Sequence, residues 1–373
     1  MAVGDAIALG RRSLASGNSS AYQHASCGHA RSLGAGRLLM PLLSILCFIA
    51  VADAHVCFSE FSSNRCASGI LHDTGYSSDV VQWTWRKYAP QLIAHAGTLP
   101  AFRVYARGGN QALEQRVGLC YFASLWYMHI YPTEAAIPGW SFGGVYRFTK
   151  KRFLDEIMAV MLQLSAVIDE IHYADRLHQD NHGTGLFEKR FTTMIDCCPI
   201  WVAEPTDPFW ADLLFQGKYG GSCFKIQIGI NWLGWIVLFT GLHVGTKTDD
   251  EIWHATAAEH PFEHWEWWLG DAAYSTCVGV LTRHVQDPHS VLWQDEAHVN
   301  AYLNFYRQYV EHSMHLIKDH GMWRVVNSRN SLPVLQACIK ITVHLTNVAI
   351  KRPWLPVFAR RYPGFYHGTP HYP

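Results

Sequence analysis

The 373-residue sequence predicts a mixed α/β domain preceded by a smaller all-helical one. Two changes of pattern carry that expectation. Between Phe153 and Ile171, apolar residues (Ile157, Val160, Met161, Leu164, Val167, Ile168, Ile171) recur at steps of three and four, the period of a helix with one buried face. From Phe191 onward the apolar stretches shorten and Phe224, Ile226, Ile228 and Ile230 alternate, as in a half-buried strand. Late helical patterns at Ala297 to Lys318 and Pro333 to Ile350 close the chain, so strands and helices share one domain.

In chain order, residues 1–37 are rich in Gly, Ser and Ala and predict disorder. Leu38 to Ala52 is an apolar run of fifteen residues ahead of Ala52-Asp53-Ala54, a pattern shared by secretory leaders. It begins too late for a typical leader, so an apolar helix or unstructured leader is preferred, with secretion as the alternative. Pro41 and its length make it a poor membrane span, and no membrane association is expected. Val117 to Ile130 reads as a buried helix. Pro132 to Lys151 contains Pro138-Gly139 and Gly143-Gly144 and reads as a break ahead of Lys150-Lys151-Arg152. Helix, turn and helix with a basic start suit either DNA docking or plain packing.

Strands are expected at Thr192 to Val202, Ser222 to Asn231 and Trp235 to Gly241, with Asn231-Trp232-Leu233-Gly234 as a turn. Thr246 to Trp253 reads as a loop opening a helix, capped by Asp249 or Asp250. Trp265 to Leu269 suits a short buried strand that delivers Asp271 at its end. The expected division is 1–75 as leader, 76–190 as helical domain, 191–355 as α/β domain and 356–373 as basic tail.

Composition excludes several classes. Hydrophobic residues make up 49% of the chain, enough for a substantial core and too many for a disordered protein. Thirty basic residues balance thirty acidic ones, which argues against indiscriminate coating of nucleic acid. The distribution is uneven: His312 to Pro373 holds eight Lys or Arg against Asp319 alone, whereas Gly241 to Asn300 holds ten acids against Lys247 and Arg283. An acidic stretch beside a basic one suits a cation-binding centre flanked by a phosphate track, or simply two solvated faces. Ten cysteines without a C-x-x-C pair give no zinc ribbon or thioredoxin-type site, and a reducing compartment is expected. His260-Pro261-Phe262-Glu263-His264 lacks the H-E-x-x-H pattern and reads as ordinary histidines.

Three acids stand out. Asp196 lies among Met194, Ile195 and Ile200, Asp271 follows Trp267-Trp268-Leu269-Gly270, and Glu311 follows Tyr309-Val310 on the late helix. Their separations of 75 and 40 residues rule out a local chelating loop, so only a fold can gather them. An ionised carboxylate in apolar surroundings needs a partner, and converging carboxylates need a cation. Hard oxygen donors favour Mg²⁺ or Mn²⁺, and the chemistry this pattern points to is phosphoryl transfer. Arg307, His315 and Lys318 share the helix face of Glu311, as an ion-pair ladder or as contacts to phosphate.

These pieces, in this order, resemble the catalytic domain of DDE-superfamily transposases, in particular the Harbinger-type group related to IS5 elements. The resemblance is carried by Ile195-Asp196, Lys225-Ile226-Gln227, Asp249, Gly270-Asp271-Ala272-Ala273-Tyr274, and the helix with Asn304, Arg307, Val310-Glu311 and Ile317-Lys318. It covers Phe191 to Lys318, about a third of the chain. It implies an RNase H-like mixed five-stranded sheet flanked by helices. It also implies metal-dependent DNA cleavage and strand transfer at transposon ends, with Mg²⁺ or Mn²⁺ held by Asp196, Asp271 and Glu311 and with DNA phosphates met by Arg307 and Lys318. Partners implied are transposon-end and target DNA, a Myb-like DNA-binding protein and a second copy of the chain, with work in the nucleus. Thr248 stands where the group usually has His, and Ala273 where it has Gly before Tyr274. Those departures leave a domesticated DNA- or protein-binding descendant without cleavage activity as the alternative, with a secreted enzyme of unknown type as the second.

Overall fold

The computed structural model describes residues 74–131, 147–177, 191–218, 220–256, 261–283, 294–324 and 331–351. The apolar run 38–52, the turn 132–146 and the basic tail lie outside them, as does His260.

Five strands form the frame, and their pairing follows from side-chain alternation. β1 (Phe191–Trp201) is central. It pairs antiparallel with β3 (Gly221–Ile230), from Met194 opposite Ile230 to Trp201 opposite Cys223, and parallel with β6 (Trp267–Leu269), which pairs parallel with β7 (Val280–Leu281). On the far edge of β3 lies β4 (Ile236–Phe239), paired antiparallel from Ile228 to Ile230. The order β4-β3-β1-β6-β7, with only β3 reversed against its β1 neighbour in the central part, is the RNase H-like arrangement the sequence resemblance implied. Two short strands extend it, since β2 (Phe215–Gln216) and β5 (His243–Val244) occupy the rest of the β3 edge. The expected five strands are thus seven among the described residues.

Helices cover both faces. The N-terminal helices are α1 (Ser78–Thr98), α2 (Arg103–Arg107), α3 (Asn110–Ile130) and α4 (Arg147–Val167). Within the α/β part lie α5 (Pro208–Leu214), α6 (Asp249–Thr256), α7 (Gln294–Lys318), α8 (Gly321–Arg324) and α9 (Leu332–Lys351). The periodicity that predicted a helix to Ile171 ends four residues earlier, at Val167. From Cys120 to Met128 every residue of α3 is buried, so that half of the predicted helix pair is surrounded by protein. Glu156 of α4 is fully buried and paired by Arg116 at 2.6 Å and Arg152 at 3.0 Å, as a carboxylate in an apolar bundle requires. Arg152, expected in a basic start suited to DNA, is thereby engaged within the bundle.

One apolar core runs from Tyr76, just ahead of α1, through Met194 and Ile200 in β1 to Val348 in α9, so the helical segment and the sheet are packed together. α9 is apolar and long enough to cross a membrane, but most of it is buried as the helix between sheet and bundle. Asn347 from α9 accepts from the Ile236 amide at 2.8 Å and donates to the Ile236 carbonyl at 2.9 Å, covering part of the exposed edge of β4. The opposite face of the sheet holds a smaller cluster of Ile195, Leu238, Trp253, Trp268 and Tyr274. There Trp253, Phe262 and Trp268 pack ring against ring, with centroids 5.1–5.4 Å apart.

A buried ionic clamp fixes where β6 begins. Arg176 donates to Glu266 at 2.8 and 3.0 Å, and the same carboxylate accepts from Thr192 of β1, from the Trp268 indole at 2.9 Å and from the Glu263 amide at 2.9 Å. Burial alone would raise the Glu266 carboxyl, but the bonds from Arg176 and Thr192 hold it below the usual glutamate value. Thr192 and Trp268 belong to the paired strands, so the clamp sets their register.

Candidate metal centre

The parallel register explains how acids 75 residues apart become neighbours. Thr193 pairs with Trp268 and Met194 with Leu269, both offset by 75 positions. β6 stops there while β1 continues to Trp201. Two residues past the last pair, at the same offset, stand Asp196 and Asp271, flanking the notch that the short strand leaves. Gly270 permits the turn into this notch, because a Cβ there would lie 2.8 Å from both the Tyr274 ring and Val280. Asp271 then accepts the Ala273 amide at 2.9 Å and caps the 3-10 turn Ala272–Tyr274. No non-glycine residue but Tyr131 has positive φ among those described, so Ala273 occupies the position of the family's glycine without backbone strain.

Asp249 is the third member of the group. Ligand oxygens of Asp196, Asp249 and Asp271 all lie within 4.8 Å of one another. Asp249 opens α6, and the expectation that Asp249 or Asp250 caps that helix is corrected here. The cap is Thr248, whose amide donates to Glu251 at 2.7 Å while its hydroxyl accepts from the Glu251 amide at 3.4 Å. That reciprocal box leaves the Asp249 carboxylate free to turn inward. Lys225, on β3, donates to it at 3.2 Å and to the Lys247 carbonyl at 2.7 Å. Gln227, two residues along the same strand face, donates to the Asp249 carbonyl at 3.2 Å and to the Tyr274 hydroxyl at 3.1 Å. Lys225 and Gln227 are both buried in a strand whose alternate residues are apolar. A Lys and a Gln on the inward face of such a strand were the sequence signal that an acid had to come near them.

Electrostatics at Asp196 show a centre short of positive charge. Its side chain is 16% exposed, and burial, then the nearby charge of Asp271, push the carboxyl up to about 6. The Cys197 amide, donating at 2.8 Å, and Arg307 pull the other way without restoring the ordinary value. Three hard oxygen donors with a raised carboxyl among them are the donor set that a divalent cation neutralises.

Glu311 lies outside the three-aspartate group. It is on α7 with its side chain 52% exposed, and Arg307 one turn earlier donates to it at 3.3 Å. The same Arg307 nitrogen stands 3.9 Å from Asp196, so the guanidinium lies between the two acids. Lys318, farther along α7, sits near Cys198 of β1: burial pushes that thiol up to about 11 and the lysine draws it down. Arg307, Glu311 and Lys318 thus run along the helix beside the strand that carries Asp196.

Comparison with known proteins agrees with this geometry. Residues 195–347 match the family described as DDE superfamily endonuclease. No curated protein and no solved structure matches the chain significantly. The matched segment begins beside Asp196 and ends at Asn347, enclosing the whole notch and the helices that line it. Residues 195–347 of this chain are therefore similar to a DDE superfamily endonuclease domain.

Proposed function

We propose that the chain is a transposase-type nuclease that cleaves DNA with a divalent cation, Mg²⁺ or Mn²⁺, and transfers the cut strand to a target. The observation that carries this reading is the gathering of the Asp196, Asp249 and Asp271 carboxylates within 4.8 Å inside the endonuclease domain. A cation held there would supply Lewis-acid stabilisation of the charge that develops on the phosphodiester oxygens. The chain's own residues supply the rest. β1, the turn that follows β6, and α6 hold the three carboxylates before substrate arrives, and Lys225 fixes Asp249. Arg307 and Lys318 offer cationic side chains along α7 for the DNA backbone, and Glu311 supplies a further carboxylate beside them.

The test is Mg²⁺- or Mn²⁺-dependent nicking of supercoiled plasmid by the full chain. Asp196→Asn, Asp249→Asn and Asp271→Asn should each reduce nicking to background while leaving the circular-dichroism spectrum intact. Unchanged nicking by Asp196→Asn would refute the assignment. Binding of DNA by the wild type without any metal-dependent cleavage would instead identify a domesticated descendant.

A further inference from the structure

We propose that Arg307 is a resident counter-ion that a divalent cation displaces, and that its departure frees Glu311 to join the centre. The proposal rests on the metal-dependent reading above. One guanidinium nitrogen serves two acids, at 3.9 Å from Asp196 and 3.3 Å from Glu311. Its Nε is buried and has no hydrogen-bond partner among the described residues. Buried donors are normally satisfied, so this side chain is not committed to one final set of partners. Its charge sits where positive charge is wanted, next to a buried carboxylate that two other aspartates crowd.

Two consequences follow from the geometry. While Arg307 holds Glu311, that carboxylate stays on the solvent side of α7, outside the three-aspartate group. A cation bound by Asp196, Asp249 and Asp271 takes over the neutralisation of Asp196, weakening the hold on Arg307. The side chain then becomes available to a DNA phosphate, which its planar fork suits, and Glu311 loses its partner. Arg307 thus acts on the cation through Asp196 and Glu311, as a positioning residue.

Binding of Mn²⁺ to the DNA-free full chain, by calorimetry and thermal shift, separates the possibilities. Arg307→Gln should bind Mn²⁺ more tightly by about three- to tenfold, the scale of losing partly exposed ion pairs. Glu311→Gln added to Arg307→Gln should erase a large part of that gain, because the gain includes a released ligand. A gain of the same size in both backgrounds would show plain charge repulsion and overturn the displacement proposal. So would unchanged or weaker binding by Arg307→Gln, provided its melting temperature without metal shows a folded protein. Asp196→Asn distinguishes the two levels: if it binds Mn²⁺ as the wild type does, the metal centre itself is misplaced, whereas loss of binding there leaves only the role of Arg307 in question.

Discussion

Replacing Asp196 with Asn should stabilise the metal-free protein and abolish its response to metal. Raising an aspartate carboxyl from 3.8 to about 6 sets the size of the effect. Each pKa unit corresponds to about 1.4 kcal/mol, so the ionised carboxylate costs the fold up to about 3 kcal/mol at neutral pH. Asn keeps an oxygen for the Cys197 amide and has the same shape, but it also buries an amide and forgoes the attraction to Arg307. A net gain of about 1–2 kcal/mol remains, or roughly 2–8 °C in melting temperature for a domain of this size. The pH dependence has a definite sign. The folded state holds this proton more tightly than the unfolded chain, so its stabilisation is fully present below about pH 4 and is lost as pH rises through about 6. Wild type without metal should therefore gain stability when acidified from pH 7 to pH 5, by more than Asp196→Asn does. Mg²⁺ or Mn²⁺ should reverse the ranking at pH 7.5, since a ligand at a hundred times its dissociation constant adds about 2.7 kcal/mol to a protein that binds it. Thermal denaturation of both proteins with chelator and with metal is the assay. A variant less stable than wild type in chelator, or one that metal stabilises as much, would refute the charge-crowding account.

The buried clamp makes a separate prediction. Glu266→Ala leaves the Arg176 charge buried without its partner and should cost about 3–5 kcal/mol in urea denaturation, with weakened Mn²⁺ binding as the β6 register loosens. A loss below about 1 kcal/mol would show that the pair is not buried as described. Charge balance predicts stoichiometry: the gathered Asp196, Asp249 and Asp271 carboxylates face the Lys225 ammonium, leaving a deficit of two charges that one divalent ion neutralises. Calorimetry without DNA should thus count one Mn²⁺ per chain, and a second tight ion would contradict the balance.

Much of the fold was legible because its signals are local. The alternation from Phe224 to Ile230 placed β3 to within a residue of its observed start, and the late helical patterns marked α7 and α9. Breaks in helical periodicity were less informative: the Phe153 to Ile171 pattern runs past the end of α4 because Ile168 packs into the core from the following turn. β7, two residues long, and β2 and β5, of the same length, carry too little sequence for a strand pattern. They exist because β6 and β3 offer unpaired edges nearby, which is a tertiary circumstance.

The site divides along the same line. Asp196 and Asp271 each announced themselves by an apolar neighbourhood that a lone carboxylate does not tolerate, and the strand register then makes them adjacent. Asp249 stands between Thr248 and Asp250 in a run of acids at a helix start, where negative charge has an ordinary reason to be. Its role emerges only when Lys225 is seen to need an anion at the one point where α6 meets β3. Glu311 shows the converse. Its spacing from Arg307 marks one helix face, but a face does not fix how far a flexible side chain reaches, and here the shared guanidinium decides which way the carboxylate turns. Asp196 and Asp271 are placed by backbone register, whereas the helical acids Asp249 and Glu311 are each placed by a counter-ion, Lys225 and Arg307. The three aspartates are thus already gathered by the fold, while the direction the Glu311 carboxylate takes follows its pairing with Arg307.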